Sequence, residues 1–494
     1  MPMHQKDRGT AATALRRHPL AALRAKAGYT HGEYARLIAE THAELGFGHM
    51  AARREKVSRW ESGRAVPERT AQLAIAHIHA VPEEDVDRLV WPEWLHLAYG
   101  DARQLEFPWT IAAAPEAILD AVAARQQTQQ GYLLATGQAA KSLAENWLDA
   151  MTEALAKVPQ DLPPHGRASR RWQRGTDAEM GGVLQACARL RTLLKFAGWF
   201  TARWLVPASE QELRQLADHF ATAPDMIAEK RPWWLTLAAK GLSLCGFIAR
   251  LEGEHVSAQR YYVAGLRCAA AAGDAGIAVA IMTMHAAQYL DLRLHEEATE
   301  LLTAARTFLR RSQVEVKDPA LAMLMHAQIA RVHAQRGDDM GRRQSLLAAR
   351  NALDSVPHED PMVILPVRCG GWMRLMDGRW LQLLDGVSLL ELGRPDQAIK
   401  FFDPVLSEQV PELKLPPAVR SLYLLRAAEA QAELGDTAGS VESVAQATTL
   451  LGGVRAAVSK QVRLALRAYP HLPEVKTLLS AVRLITPARP VPGR

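Results

Sequence analysis

The run "AARREKVSRWESGRAVPE" at residues 51–68 concentrates side chains that could contact a nucleic acid. Its cationic side chains are Arg53, Arg54, Lys56, Arg59 and Arg64, interrupted by Glu55. Arginine can donate two hydrogen bonds to O6 and N7 of a guanine, and Arg or Lys can also bind a phosphate. An ordinary amphipathic helix with a solvated face has a similar composition, so the run alone leaves both interpretations open.

Two helices are predicted ahead of this run. "HPLAALRAKAG" has Pro19 in its first turn and ends at Gly28. "YTHGEYARLIAETHAEL" begins with Thr30 and Glu33, whose spacing is that of a capping box. The following "GFGH" is expected to end the second helix.

The run itself is predicted to be a helix over residues 51–63, with Gly63 as its stop. Val57 and Trp60 are three residues apart and should share the face that points into a core. The outer face is then expected to carry Arg53, Arg54, Lys56 and Ser58, with Arg59 at its margin. Two further helices are predicted to begin at Pro67 and Pro82.

The net charge supports a contact between this segment and a polyanion. Residues 1–80 carry 13 Lys and Arg against 7 Asp and Glu, so the whole net charge of +6 falls in this segment. A basic head on a neutral body is the charge distribution expected of a nucleic-acid-binding head.

These residues resemble a known family. "THGEYA" at 30–35 and "VSRWESGRAVP" at 57–67 are similar to the Xre-type helix-turn-helix of phage-repressor-like regulators. The resemblance implies that the helix over 51–63 enters a major groove, that Trp60 and Glu61 are structural, and that His31 lies near a phosphate. The candidate DNA-binding residues are Arg53, Arg54, Glu55, Lys56, Ser58, Arg59, Arg64 and His31. The stretch between Thr30 and Val57 is longer here than in the family, which leaves the register on DNA open.

From about residue 181 the sequence shows a repeat with a period near 40. Each unit has a helix, a short turn and a second helix. The second helix carries a small residue, then a large apolar residue four positions later, then another small residue three positions after that. The pattern residues are Gly253, Ala258, Tyr262 and Gly265; Ala298, Leu302 and Ala305; Gly337, Leu346 and Ala349; Gly393, Ala398 and Phe402; and Gly435, Ser440, Val444 and Ala447. The large residue is expected to fill the space between repeats.

This repeat resembles tetratricopeptide units, which stack into a solenoid with a concave groove. Head and body together, with "FPWT", "QQGYLLATG" and "GEHVSAQRYYVAGLRCAAAAGDAGIAVAIM", are similar to the large actinobacterial Xre/tetratricopeptide regulators of development and secondary metabolism. By repeat phase, the residues that could face a ligand in the groove are Phe247, Arg250, Thr283, Asp291, Arg331 and Trp380. Each could equally be an ordinary core or surface residue.

The predicted fold is therefore all-α, a helix-turn-helix domain followed by a tetratricopeptide-like α-solenoid. The expected organisation is an arm at 1–18, the helix-turn-helix domain at 19–90, a helical connector with a basic linker at 91–180, the repeat domain at 181–484 and a tail at 485–494. The clearest linker is "PQDLPPHGRASRRWQRG" at 159–175, for which a solvated segment is favoured over a contact with DNA flanks.

Other classes of protein are disfavoured. The cysteines Cys187, Cys245, Cys268 and Cys369 lack metal-ligand spacing and are expected to be reduced and buried. The expectation from sequence is that no apolar run approaches membrane-spanning length. The polar N-terminus lacks a signal peptide's apolar core, so a cytoplasmic, nucleoid-associated protein without a membrane partner is expected. "HEEAT" at 295–299 has Thr299 where a zinc-protease helix needs its second histidine, and "GYLLATGQAAKS" lacks a phosphate loop's glycine and lysine spacing. We therefore expect no enzyme and no cofactor.

The function predicted from sequence is a sequence-specific, DNA-binding transcription regulator. Its repeat domain is expected to form a homodimer, because one short head buries too little DNA for tight specificity. That domain is also expected to sense a peptide, a small molecule or a partner protein. The alternative is an interaction adaptor whose head no longer binds double-stranded DNA because of its lengthened turn.

Overall fold

The computed structural model describes most of the chain as helices. The described residues are 18–88, 91–92, 94–95, 98, 107–127, 134–157, 178–195, 202–222, 231–251, 254–312, 319–354, 378–407, 415, 417–450 and 473. Within them there is no β-strand, which confirms the predicted all-α class. Most of the N-terminal arm, the linker at 159–175, Gly253, Cys369 and the tail lie outside the described residues.

The chain divides into two units. One comprises residues 1–108, 123–143 and 292–294, and the other comprises residues 109–122, 144–291 and 295–494. The connector predicted at 91–180 thus contributes segments to both.

The first unit begins with five short helices. They are α1 (Pro19–Lys26), α2 (His31–Glu44), α3 (Arg54–Glu61), α4 (Arg69–Ile78) and α5 (Glu83–Arg88). The next two helices of the chain, α6 (Ala114–Gln127) and α7 (Gln138–Lys157), each have residues in both units. The core of the five-helix segment is formed by Leu20, Leu23, Tyr34, Ala35, Ile38, Val57, Trp60, Ala71, Ala74, Ile75, Ala76, Val81, Val86, Trp94 and Leu95.

Most predicted helix ends in this segment are confirmed. Thr30 accepts a hydrogen bond from the Glu33 amide, and the Glu33 carboxylate accepts one from the Thr30 amide, so the capping box is present. Gly28 and Gly63 have φ angles of +78° and +69°, in the left-handed region that favours glycine at a helix end. The helix start predicted at Pro67 was wrong by two residues, because α4 begins at Arg69. Pro67 is buried ahead of the helix, and its carbonyl accepts a hydrogen bond from the Gln72 side chain at 2.9 Å.

The long connection between α2 and α3 is folded against α2. The His42 Nδ1 donates to the carbonyl of Gly48 at 2.9 Å, and the His42 and Phe47 rings meet edge to face at 5.5 Å. Gly46 and Gly48 have φ angles of +80° and +87°, which let the chain reverse there. Met50 packs against the core. The connection between α2 and α3 is therefore held against the protein near both of its ends.

The second unit contains a series of helix pairs. Its first helices are α8 (Ala178–Lys195) and α9 (Ala202–Thr222). Five further pairs of contacting helices follow in the described chain: α10 (Arg231–Leu251) with α11 (His255–Ala272), α12 (Ala275–Asp291) with α13 (His295–Ser312), α14 (Pro319–Gln335) with α15 (Asp339–Asp354), α16 (Gly378–Glu391) with α17 (Pro395–Leu406), and α18 (Pro417–Glu433) with α19 (Thr437–Leu450).

Four of these pairs are joined by a three-residue turn with a left-handed residue at its centre. The φ angles are 78° at Gly337 and 84° at both Gly393 and Gly435. Arg293 takes the same conformation at 61°, although its side chain makes that conformation costly. The turn glycines that marked the repeat in the sequence are therefore explained by backbone geometry.

The small–large–small pattern forms the interior of the pairs. Its described members outside the turns are buried: Ala258, Tyr262, Gly265, Ala298, Leu302, Ala305, Leu346, Ala349, Ala398, Phe402, Ser440, Val444 and Ala447. A Cβ atom on Gly246 would lie 2.7 Å from the Tyr262 ring, and one on Gly386 would lie 2.8 Å from the Phe402 ring. In these two pairs the large residue fills a space against the first helix of its own pair, whereas the sequence suggested only a position between repeats.

Cysteine placement agrees with the expectation of buried thiols. Cys187, Cys245 and Cys268 are free and buried. Burial raises the pKa of the Cys187 and Cys268 thiols to about 12, so both stay protonated at neutral pH.

One apolar stretch is longer than the sequence analysis expected. Trp233–Leu251 in α10 has a mean hydropathy of 1.3 and is long enough to cross a membrane by length and composition alone. The expectation that no run approaches that length was therefore wrong. Inside the protein 89% of this stretch is buried, as in the core helix of a helical domain.

Candidate nucleic-acid interface and predicted groove residues

Helix α3 has one buried face and one exposed face. Val57 is 0% exposed and Trp60 is 6% exposed, which confirms their predicted place in the core. Arg54, Glu55, Ser58 and Arg59 are all exposed. The sequence of α3 therefore fixes this helix to the core through two apolar side chains and leaves a polar, mainly cationic surface outward.

The remaining candidates of the cationic run lie around that surface. Arg53 is the residue before α3, with an extended backbone at φ −103° and ψ 120°, so the helix begins later than the predicted residue 51. Lys56 is only half-buried and lies toward the core side, whereas Arg59, which the sequence placed at the margin, is exposed. Arg64 is exposed just beyond Gly63.

The end of α3 is held by an ion-paired cluster around Glu61. Arg24 of α1 donates from Nε to Glu61 Oε1 at 2.6 Å and from Nη2 to Oε2 at 3.0 Å, and its Nη1 donates to the Tyr29 carbonyl at 2.8 Å. His31 Nε2 lies 3.0 Å from Glu61 Oε2. Since the Glu61 side chain is only 8% exposed, these contacts tie α1, the start of α2 and α3 together. Glu61 thus has the structural position that the resemblance implied.

The same cluster defines the position of His31. Its side chain is 42% exposed, but the Nε2 nitrogen is directed at Glu61, so any phosphate contact would have to use the Nδ1 side of the ring. Sequence reasoning missed Arg24, because its partner Glu61 is 37 residues away in the chain.

A shallow cleft of about 490 Å³ lies between the starts of α2 and α3. Its lining residues are Thr30, Gly32, Glu33, Arg36, Ala52, Arg53, Arg54 and Glu55. Arg36 was missed by the sequence analysis, and the signal for it is its place six residues after the Thr30 cap, on the helix that precedes the cationic run. Three arginines at one cleft make this edge of the first unit suited to a phosphate backbone.

Two carboxylates at this cleft carry a negative charge at neutral pH. A hydrogen bond from the Thr30 backbone lowers the pKa of Glu33, and a hydrogen bond from the Arg54 side chain lowers the pKa of Glu55. Both therefore act only as hydrogen-bond acceptors near pH 7.

In the second unit, three predicted groove residues meet in one buried charge cluster. Arg250 Nε donates to Asp291 Oδ2 at 2.6 Å, and Arg331 Nη2 donates to Asp291 Oδ1 at 2.9 Å and to Glu391 Oε1 at 2.6 Å. Arg426 lies 3.6 Å from Asp291. The charge cluster (Arg250, Asp291, Arg331, Glu391 and Arg426) thus has one member on the first helix of each of the five pairs.

Burial and charge oppose each other at the centre of the charge cluster. Burial raises the pKa of Asp291, but Arg250, Arg331 and Arg426 together overcome it and hold the pKa well below its usual range. Arg331 is 2% exposed, and its Nη1 also donates to Gln328 at 3.2 Å. The donors of Arg331 are therefore engaged inside the protein, and the charge cluster serves to connect the helix pairs.

The other groove candidates are not members of this charge cluster. Thr283 is 0% exposed and donates to the Val279 carbonyl of its own helix at 2.8 Å, so it faces no groove. Phe247 is half-buried. Trp380 is half-buried and packs on the core formed by α16 to α19.

A second buried polar group surrounds His285, which the sequence analysis did not single out. The His285 ring stacks on Tyr289 at 5.0 Å and lies 5.7 Å from the Tyr262 ring. Its Nε2 is 3.3 Å from the Gln259 amide nitrogen, while Nδ1 has no hydrogen-bond partner among the described residues. Burial lowers the pKa of His285 to about 3, so the ring is neutral in the folded protein. Among the described residues no group of three or more His, Cys, Asp or Glu side chains is arranged to hold a metal ion.

Comparisons with known proteins add no relative. No family model, no curated protein and no solved structure matches this chain.

Proposed function

We propose that this protein is a sequence-specific DNA-binding transcription regulator whose helix α3 enters a major groove. The observation that carries the proposal is the division of α3 into a core face with Val57 and Trp60 and an exposed face with Arg54 and Arg59. An exposed helix of this kind, with arginine at its N-terminal end, suits contacts with base edges.

Charge supports the same proposal. The excess of positive charge lies in residues 1–80, and Arg36 and Arg53 line the cleft beside the start of α3. Phosphate contacts at this cleft would fix the orientation of α3, and base contacts would supply specificity. The resemblance of residues 30–35 and 57–67 to the Xre-type helix-turn-helix agrees with this assignment.

We further propose that the tetratricopeptide-like repeats of the second unit form a homodimer and sense a peptide, a small molecule or a partner protein, at the nucleoid in the cytoplasm. The five helix pairs, four of which share one type of turn, support a repeat architecture. A dimer would place two copies of α3 on two half-sites. Light scattering after size-exclusion chromatography should give twice the mass of 54.4 kDa, and a monomer at all concentrations would contradict the dimer.

The test of DNA binding is a titration of the full chain against duplexes from its own upstream region at several salt concentrations. We expect the logarithm of the affinity to fall linearly with the logarithm of salt, because binding releases counterions. The variant R54A/R59A should lose the specific complex. In the plot of log affinity against log salt concentration, its slope should be shallower than that of the wild type by about one to two units.

The matched control removes two arginines elsewhere. R306A/R310A on α13 takes away the same charge from two exposed positions and should bind DNA as the wild type does. A wild-type protein without salt-sensitive DNA affinity would refute the proposal, and capture of a protein partner by that same preparation would favour the adaptor.

A further inference from the structure

The centre of the exposed face of α3 holds an acid. Successive helical residues are rotated by about 100°, so Glu55 and Arg59, four residues apart, lie opposite the buried Val57 and Trp60. A carboxylate directed at DNA is repelled by phosphates unless it accepts a hydrogen bond from a base. The position of Glu55 therefore needs an explanation in terms of what it would accept.

Glu55 is joined to its neighbour Arg54. Arg54 Nε donates to Glu55 Oε1 at 2.9 Å, while the two side chains are 77% and 66% exposed. This bond leaves the two terminal nitrogens of Arg54 on the exposed surface, beside a Glu55 carboxylate that also accepts a hydrogen bond from its own backbone amide. The pair thus presents two donors beside one acceptor, in an arrangement that exists before any DNA is bound.

The major-groove edge of a G·C base pair has the complementary order of groups. Guanine offers two acceptors, N7 and O6, and cytosine offers the N4 amino group as a donor. An A·T pair offers an acceptor, a donor and a second acceptor, so it would mismatch at two of the three positions. A C·G pair offers the G·C groups in the opposite order along the groove.

We propose that Arg54 and Glu55 act as one unit that reads a single G·C base pair in each DNA half-site. Arg54 donates to guanine N7 and O6, and Glu55 accepts from cytosine N4. This inference rests on the proposed DNA-binding function and deepens it by assigning specificity to the acid of α3. Glu55 selects against the other base pairs and holds Arg54 in the orientation that distinguishes G·C from C·G.

The experiment selects preferred duplexes from a randomised library with the full-length wild type, then repeats the selection with E55A. The wild-type half-site should contain a G·C pair whose preference disappears in E55A, while preferences at other positions persist. In competition binding, discrimination at that position should fall by about 5- to 150-fold. The control E40A removes an exposed acid on α2 and should leave every preference unchanged.

Modified bases test the contacted atoms. Replacing the selected guanine by 7-deazaguanine removes N7 and should weaken wild-type binding, whereas inosine keeps N7 and O6 in the major groove and should bind as guanine does. Unchanged preference in E55A, or an E55A-sensitive position that is A·T in the wild type, would overturn this inference and leave the DNA-binding function standing. A wild type that selects no sequence would refute the proposed function itself.

Discussion

Replacing Arg331 by methionine should destabilise the second unit by about 3–5 kcal/mol, because it leaves a buried carboxylate without its charged partner. Arg331 and Glu391 have side chains that are each 2% exposed, and two hydrogen bonds of 2.6 and 3.2 Å join them. Asp291 would still have Arg250 at 2.6 Å. Most of the loss should therefore come from Glu391.

A double-mutant cycle tests this explanation. If the loss comes from the buried charge that Glu391 keeps once Arg331 is removed, then E391L should recover much of the stability in the R331M background. We expect the double variant to lose about 1–3 kcal/mol less than the sum of the two single variants. Urea unfolding followed by far-UV circular dichroism measures all four proteins, with the transition of the second unit as the readout.

An ion pair whose arginine is exposed provides the control. Arg343 lies 3.0 Å from Asp339 with its side chain 65% exposed, so R343M should cost no more than about 1 kcal/mol. A loss in R331M that is as small as that in R343M would refute the reasoning. Simple additivity of R331M and E391L would refute it as well.

Three other predictions concern pH, a turn and the α3 anchor. The pKa of His285 in the folded protein, about 3, lies below its ordinary value of 6.5. The contribution of the neutral ring to the free energy of unfolding is therefore complete above pH 6.5 and falls by up to about 1.4 kcal/mol per pH unit toward pH 3. H285Q should remove this pH dependence from the free energy of unfolding measured between pH 3 and pH 6.5. G393A should cost about 1 kcal/mol in urea unfolding through backbone strain, since φ is +84° and no atom of the described residues lies within 4 Å of a Cβ there. E61Q should lower the stability of the first unit by about 1–3 kcal/mol, seen as faster hydrogen exchange in α1 to α3, because the Arg24 pair is lost.

Each of these predictions has a matched control. H77Q changes an exposed histidine on α4 and should keep the wild-type pH dependence, so an equal effect of H77Q and H285Q would contradict the argument from burial. Gly32 has an ordinary φ, and no atom of the described part of the chain lies within 4 Å of a Cβ added there, so G32A should leave stability unchanged or slightly higher. E40Q neutralises an exposed acid and should leave hydrogen exchange in α1 to α3 unaltered.

The parts of the fold that depend on residues close together in the sequence could be predicted from the sequence. The Thr30–Glu33 capping box spans four residues, and the Gly63 helix stop depends on one backbone angle. The burial of Val57 and Trp60 follows from helical periodicity alone. The small–large–small pattern was visible because five copies of it share one phase.

The features that could not be predicted join residues that are far apart. Arg24 and Glu61 are 37 residues apart, and Arg331 and Glu391 are 60 residues apart. Repeat phase did single out Arg250, Asp291 and Arg331, because they occupy similar positions near the ends of first helices. It could not show that they contact one another, since a solvated groove and a buried ion-paired cluster require the same alternation of charges.

Charge has opposite roles in the two units, and burial decides between them. In the first unit Arg54 and Glu55 are mostly exposed, so their pairing is weak in energy and the groups outside that bond can contact a base. In the second unit Arg331 and Glu391 are almost fully buried, so neither can leave its partner without a large loss of stability. The same arginine–glutamate chemistry therefore suits recognition at α3 and connection between helix pairs in the repeat. Composition alone cannot separate the two roles, because the number of arginines is the same whichever of them is buried.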